Sequence, residues 1–152
     1  MQKASDRIID VLIEAGVDYI FGIPGGGTIP IWNALYGRQD KIKAVLCRHE
    51  QAAACMADAY GRLTGKPAVL MGQGAFVVSN GAFGILESYL YGSPMLILTD
   101  TSESGFSQHG NYQSGTGEYG SFDIVSMMRG MTKYTSYAVT PEEAVNGVQL
   151  AI

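Results

Sequence analysis

"DYIFGIPGGGTIPIWNAL", residues 18–35, decides the fold. "DYIFGIP" is short, apolar and rich in aromatic and branched side chains, the composition of a buried strand. Gly25, Gly26 and Gly27 break it. "TIPIWNALYG" then reads as a helix, with Thr28 available as a cap and Pro30 tolerated in the first turn. The order is strand, glycine loop, helix.

The same order recurs on both sides. Ser5-Asp6 reads as a helix start, Ile8, Ile9, Leu12 and Ile13 follow at helical spacing, and Gly16 closes the segment. Downstream, "IKAVLC" predicts a strand, Glu50 to Leu63 a helix, "PAVLMG" a strand, Ser79 to Leu90 a helix, and "PMLILTD" a strand. Short apolar strands alternating with helices predict an α/β fold, a parallel sheet with helices on both faces. Such sheets place ligands beyond the carboxyl ends of their strands. Residues 22–27, 48–50, 72–80 and 100–120 lie there.

The stretch 100–120 is polar and glycine-rich, and a loop of that length inside a compact domain is usually functional or disordered. After it, "SFDIVSMMRGMTKYTSYAV" predicts a short helix and a strand. Thr140-Pro141-Glu142-Glu143 opens a last helix with a threonine cap, a proline and two acids in its first turn. That helix reaches Ile152 without a C-cap, so the expectation is one domain over residues 1–152, truncated at its C-terminal end.

The 152 residues suit a single core. Only 16% of them are charged while 47% are hydrophobic, a balance that leads us to expect a covered surface: a partner chain or a further domain. The net charge of −4 comes without a block of Lys or Arg, so neither nucleic acid nor an anionic membrane is expected as a partner. The start lacks a signal-peptide core, and the most apolar stretch, Ala68 to Leu86, is interrupted by Gln73, Ser79, Asn80 and glycines. A cytoplasmic location is expected. Cys47 and Cys55 read as reduced core thiols. A metal set of Cys47, His49, Cys55 and His109 fits no zinc spacing, and no metal ligands are expected in this chain.

Glu50 raises the sharpest question. At a helix start a carboxylate is favoured by the helix dipole, by about 0.3–1 kcal/mol, which explains an ordinary N-terminal acid. Here Ala52, Ala53, Ala54, Cys55, Met56 and Ala57 follow, so this end of the helix packs closely against something. A buried carboxyl beside a glycine loop is also a candidate for proton transfer. The three glycines alone fit either a tight turn or a close approach to a ligand, and their spacing matches neither the dinucleotide fingerprint nor the P-loop. Ser79 is explained as a cap, whereas Asn80 is a polar residue free to hold a ligand. His109, Tyr112, Gln113 and Glu118 are further polar candidates, and no hydrolase triad is expected from two histidines.

Three motifs in order carry a resemblance: "FGIPGGGTIPIWNAL", "RHEQAAACMADAYGRLTGKPAV" and "DIVSMMRGMTKYT". Together they resemble the N-terminal pyrimidine-binding (PYR) domain of thiamine diphosphate-dependent enzymes of the acetolactate synthase group. Arg48-His49-Glu50-Gln51, Met56-Ala57 and Tyr60-x-Arg62-x-x-Gly65-Lys66 are its specific part. The resemblance implies that Glu50 hydrogen-bonds a ring nitrogen of the cofactor's aminopyrimidine and activates it. It implies that Ile23, Pro24 and Gly25, with Asn80, lie beside the cofactor. Gly26, Gly27, Phe76 and His109 are then expected on the substrate side, and Gln113 as a catalytic glutamine facing the substrate.

The implied reaction is decarboxylation or carboligation of a 2-keto acid such as pyruvate. The implied cofactors are thiamine diphosphate and Mg2+, the latter bound by a domain not in this chain, with FAD an optional addition. A homo-oligomer, dimer or tetramer, with the active site at the subunit interface is expected, and the isolated chain is expected to be inactive. Ala75-Phe76-Val77-Val78-Ser79-Asn80 departs from the family's Gly-Pro-Gly-Ala-Thr-Asn, and "SGTGEYGSF" is longer than its usual turn. Both departures leave the substrate open. Two other readings stand beside this one: the small subunit of a split phosphono- or sulfopyruvate decarboxylase, and a non-catalytic dimerisation domain.

Overall fold

Parallel strands with helices on both faces are what the chain builds. The computed structural model describes residues 2–101, 115–117 and 120–152. Helix α1 (Ala4–Glu14) starts at Lys3, which makes no side-chain cap, and ends before Gly16, whose φ of 77° is left-handed. Strand β1 (Tyr19–Gly22) follows. The glycines then form a 3-10 turn (Gly26–Thr28) leading into α2 (Ile29–Ala34). Thr28 does not cap that helix as expected: its hydroxyl donates to the Gly25 carbonyl at 2.6 Å and is buried.

Strand β2 (Lys43–Leu46), helix α3 (Glu50–Thr64) and strand β3 (Ala68–Gly72) come next. Helices α4 (Gly74–Asn80) and α5 (Ala82–Tyr91) precede strand β4 (Met95–Thr99), and α6 (Ile124–Met131) and α7 (Pro141–Ala151) complete the elements. The sheet order is β2-β1-β3-β4, parallel throughout. From β1 the chain moves outward to β2 and then crosses back to β3, so the strand order reverses between β1 and β3.

Period-two alternation divides the core into two. Ile20, Val69, Met71, Leu96 and Leu98 face α1, α2 and α7, where Ile9, Leu12, Leu35 and Val148 meet them. Phe21, Ala68 and Leu70 face the opposite layer, with Ala53, Ala54 and Ala57 of α3 and Val77, Ile85 and Met128 of α4, α5 and α6. The α/β expectation therefore holds.

Two local readings fail. The expected helix Ser79 to Leu90 is two helices, and Ser79 is inside the first, its hydroxyl donating back to the Ala75 carbonyl at 2.6 Å. The helix starts at Gly74 because Asp100 Oδ1 accepts from the Gly74 amide at 2.8 Å, satisfying one of the orphan donors of its first turn. Val77 and Val78 thus point into the core. The strand expected after α6 does not join the sheet. Residues 132–138 form no strand and, with β4 and several helices, line a cavity of about 630 Å³; β propensity forms no ladder without an adjacent strand.

The last helix opens as read. Thr140 accepts from Glu143 N at 3.2 Å while Glu143 Oε2 accepts from Thr140 N, also at 3.2 Å, a complete capping box.

Candidate functional site

Glu50 is the first residue of α3, which begins just beyond the carboxyl end of β2. His49 is the N-cap, and its Nδ1 accepts from the Gln51 amide at 3.3 Å. Glu50 is 8% exposed. Its Oε2 accepts from Asn80 Nδ2 at 3.0 Å, and among the described residues Oε1 has no partner. A carboxylate with one oxygen held and one open is oriented for a further hydrogen bond.

Three of the alanines after Glu50 pack within the chain, while Ala52 and Met56 are exposed on the other side of the helix. Ala53, Ala54 and Ala57 are fully buried, and Gly84 of α5 approaches so closely that a Cβ there would stand 2.6 Å from Ala54 Cβ. This contact sets where α3, and with it Glu50, sits on the sheet.

The second cluster lies where the strand order reverses. The loop after β1 contains Ile23, Pro24, Gly25, Gly26 and Gly27, and Ile23 N donates to Met71 O at 3.2 Å, tying it to β3. Asp100, following β4, accepts from the Gly27 amide through Oδ2 and from the Gly74 amide through Oδ1. Sequence reasoning passed over Asp100. The signal was present, an acid ending a buried strand at the edge where two glycine loops emerge, but which loops it would reach depends on the order of the strands.

The structure thus joins Glu50 to Asn80, and Gly27 to Asp100 and α4. Phe76 is half-buried on α4. His109 and Gln113, with Tyr112 and Glu118, lie outside the described residues.

Other motif residues have structural work at the opposite, amino-terminal end of the strands. Tyr60 OH and Lys66 Nζ donate to Asp18, just before β1, at 2.6 and 2.9 Å. Arg62 pairs with Asp58 at 2.8 Å and lies over the Tyr91 ring, and Gly65 ends α3 with φ 71°. Cys47 and Cys55 are free thiols, buried and half-buried, and desolvation pushes both pKa values up.

Residues 2–126 match the family described as "Thiamine pyrophosphate enzyme, N-terminal TPP binding domain". The acetolactate synthase of Bacillus subtilis (strain 168) is 31% identical over 153 residues, covering 98% of this chain and 25% of that protein. A Pseudomonas aeruginosa protein described as a 2-ketoarginine decarboxylase is 33% identical over 144 residues, 92% of this chain and 24% of its own length. The chain thus spans about a quarter of the length of these relatives. An X-ray structure of a protein from Mycobacterium smegmatis described as a thiamin diphosphate-dependent enzyme superposes with a TM-score of 0.83 at 22% identity, over 99% of this chain and 28% of that one, and shows the shared fold. The chain belongs to the thiamine pyrophosphate enzyme family and carries its N-terminal TPP-binding domain, of the acetolactate synthase type.

Proposed function

We propose that this chain is the pyrimidine-binding part of a thiamine diphosphate-dependent enzyme that decarboxylates or ligates 2-keto acids such as pyruvate. The observation that carries the reading is the Glu50–Asn80 pair: a nearly buried glutamate with one carboxylate oxygen held at 3.0 Å and the other without a partner among the described residues. That donor set fits a heteroaromatic ring nitrogen, which needs a single oriented carboxyl partner shielded from water. The acetolactate synthase and decarboxylase relatives support the reaction class.

When bound, thiamine diphosphate supplies the electron sink that decarboxylation requires. Glu50 would receive the pyrimidine at its second oxygen and hold or yield a proton there. Asn80 keeps the carboxylate from turning and lies beside the cofactor. Ile23, Pro24 and Gly25 would line the cofactor side of the site and Gly26, Gly27 and Phe76 the substrate side, where His109 and Gln113 are further candidates. The diphosphate and Mg2+ are held by residues outside this chain, in an active centre completed by a second subunit, so the chain alone is inactive.

The test uses the full-length protein that carries this chain. Glu50→Gln keeps the shape of the side chain and removes its acid, so pyruvate turnover should fall by roughly 100-fold or more while cofactor binding, followed by calorimetry, persists. Normal turnover in Glu50→Gln refutes the role of Glu50. Failure of the parent protein to bind thiamine diphosphate refutes the reading as a whole.

A further inference from the structure

We infer that Asp100 is a positioning residue for this site: its carboxylate ties the glycine loop after β1 to the start of α4, across the reversal in strand order, and so fixes the cleft wall relative to Glu50.

One side chain makes both ties. Asp100 Oδ2 accepts from Gly27 N, 73 residues away in sequence, and Oδ1 accepts from Gly74 N at 2.8 Å, 26 residues away. Hydrogen bonds to an ionised carboxylate are the stronger kind. Among the described residues no Lys, Arg or His forms an ion pair with Asp100, and two backbone amides, those of Gly27 and Gly74, donate to it.

The same residue explains three glycines. A Cβ on Gly27 would stand 3.0 Å from Asp100 Oδ2, one on Gly26 would stand 3.2 Å from Asp100 Cγ, and one on Gly74 would overlap the Asp100 carbonyl. Gly26 also has φ 54°, which only glycine adopts freely. The glycines after β1 are therefore shaped around Asp100 and are not a generic tight turn.

The tie has a short rigid route to Glu50. Helix α4 runs from Gly74 to Asn80, a rise of about 9 Å at 1.5 Å per residue, and Asn80 holds Glu50 Oε2. Asp100 anchors one end of that helix and the glycine loop together. This role rests on the reading of the cleft as the cofactor and substrate site.

The experiment measures kcat, KM for pyruvate at saturating thiamine diphosphate, and the thermal midpoint of the full-length protein. Asp100→Asn keeps the shape but turns an amide NH2 toward one of the two backbone N–H groups. We expect KM to rise roughly tenfold, about 1.4 kcal/mol, with kcat and the midpoint changed little, since a displaced wall weakens substrate binding without removing a reacting group. Gly27→Ala retains every polar group and pushes Asp100 away, so it should raise KM as well, and the double variant separates that displacement from any direct contact of the new methyl with substrate. In an Asp100→Ala background the same Gly27→Ala change should add less than about twofold, because the partner it displaces is gone. An unchanged KM in Gly27→Ala, or effects that multiply in the double variant, overturns the role, and the first outcome stands even if Asp100→Asn fails to fold. Loss of turnover in Glu50→Gln with a normal Asp100→Asn refutes only the Asp100 role. Normal turnover in Glu50→Gln refutes the underlying site reading instead.

Discussion

The contact between α3 and α5 can be tested with one methyl group. Replacing Gly84 by alanine would place a Cβ 2.6 Å from both the carbonyl carbon and Cβ of Ala54 and 2.7 Å from Cys55 N. Carbon atoms in contact normally stand about 3.5–4.0 Å apart, so the two helices must part by roughly 1 Å. Most of the opposing atoms are helix backbone, which no rotamer change can move. Overpacking of this kind costs about 1–3 kcal/mol, set against a helix-propensity gain of about 1 kcal/mol for alanine over glycine.

Gly130, exposed on α6, provides the control: a Cβ there meets nothing within 4 Å. Near a helix end it should gain about 0.5 kcal/mol. Gly84→Ala should therefore lose up to about 2 kcal/mol while Gly130→Ala gains slightly. The difference reports the α3–α5 contact alone. Urea unfolding of both variants reads it as opposite shifts in midpoint at constant m-value. Because Glu50 begins α3, the Gly84 variant should also weaken cofactor-dependent turnover. If Gly84→Ala stabilises as much as Gly130→Ala, the close approach of the two helices is refuted.

Thr140→Ala removes half of the capping box of α7 and should cost about 1 kcal/mol, read by the same urea titration; no loss would show that the box contributes nothing. Asp18 should make folding sensitive to acid. Hydrogen bonds from Tyr60 and then Lys66 hold its pKa below the ordinary 3.8. A depressed carboxylate contributes stability above its unfolded value and loses it as pH falls through the folded one. The unfolding midpoint should thus fall more steeply below pH 3.8 in the parent than in Asp18→Asn, and high salt should narrow that difference because Asp18 is 40% exposed. Identical acid limbs would refute the contribution.

Much of the site was legible because its signals are local. Glu50 at the head of an alanine-rich helix marks a carboxylate entering a packed layer, and the structure buries it there. Asn80 was legible as an extra polar residue, but its hydrogen bond to Glu50 spans 30 positions and was not. Ser79 misled for the same reason: Ser-Asn before an apolar run is a good local cap, yet Asp100 satisfies an amide five positions earlier and starts the helix there. Tyr60 and Lys66 belong to the motif that carried the family resemblance, although they brace Asp18 at the amino end of the central strand β1, away from Glu50. A motif records what covaries with the fold as well as what touches the chemistry.

Sequence alone determined the alternation of strand and helix, the parallel sheet covered on both faces, the helix beginning at Glu50 and the capping box at Thr140. Each depends on periodicity or on neighbours within one turn. The tertiary structure decided that Asp100 meets Gly27 and Gly74, that α4 begins at Gly74, and that residues 132–138 add no strand to the sheet. These outcomes depend on which strand lies beside which. A backbone amide takes whichever acceptor the fold brings within about 3 Å, and chain order does not specify it.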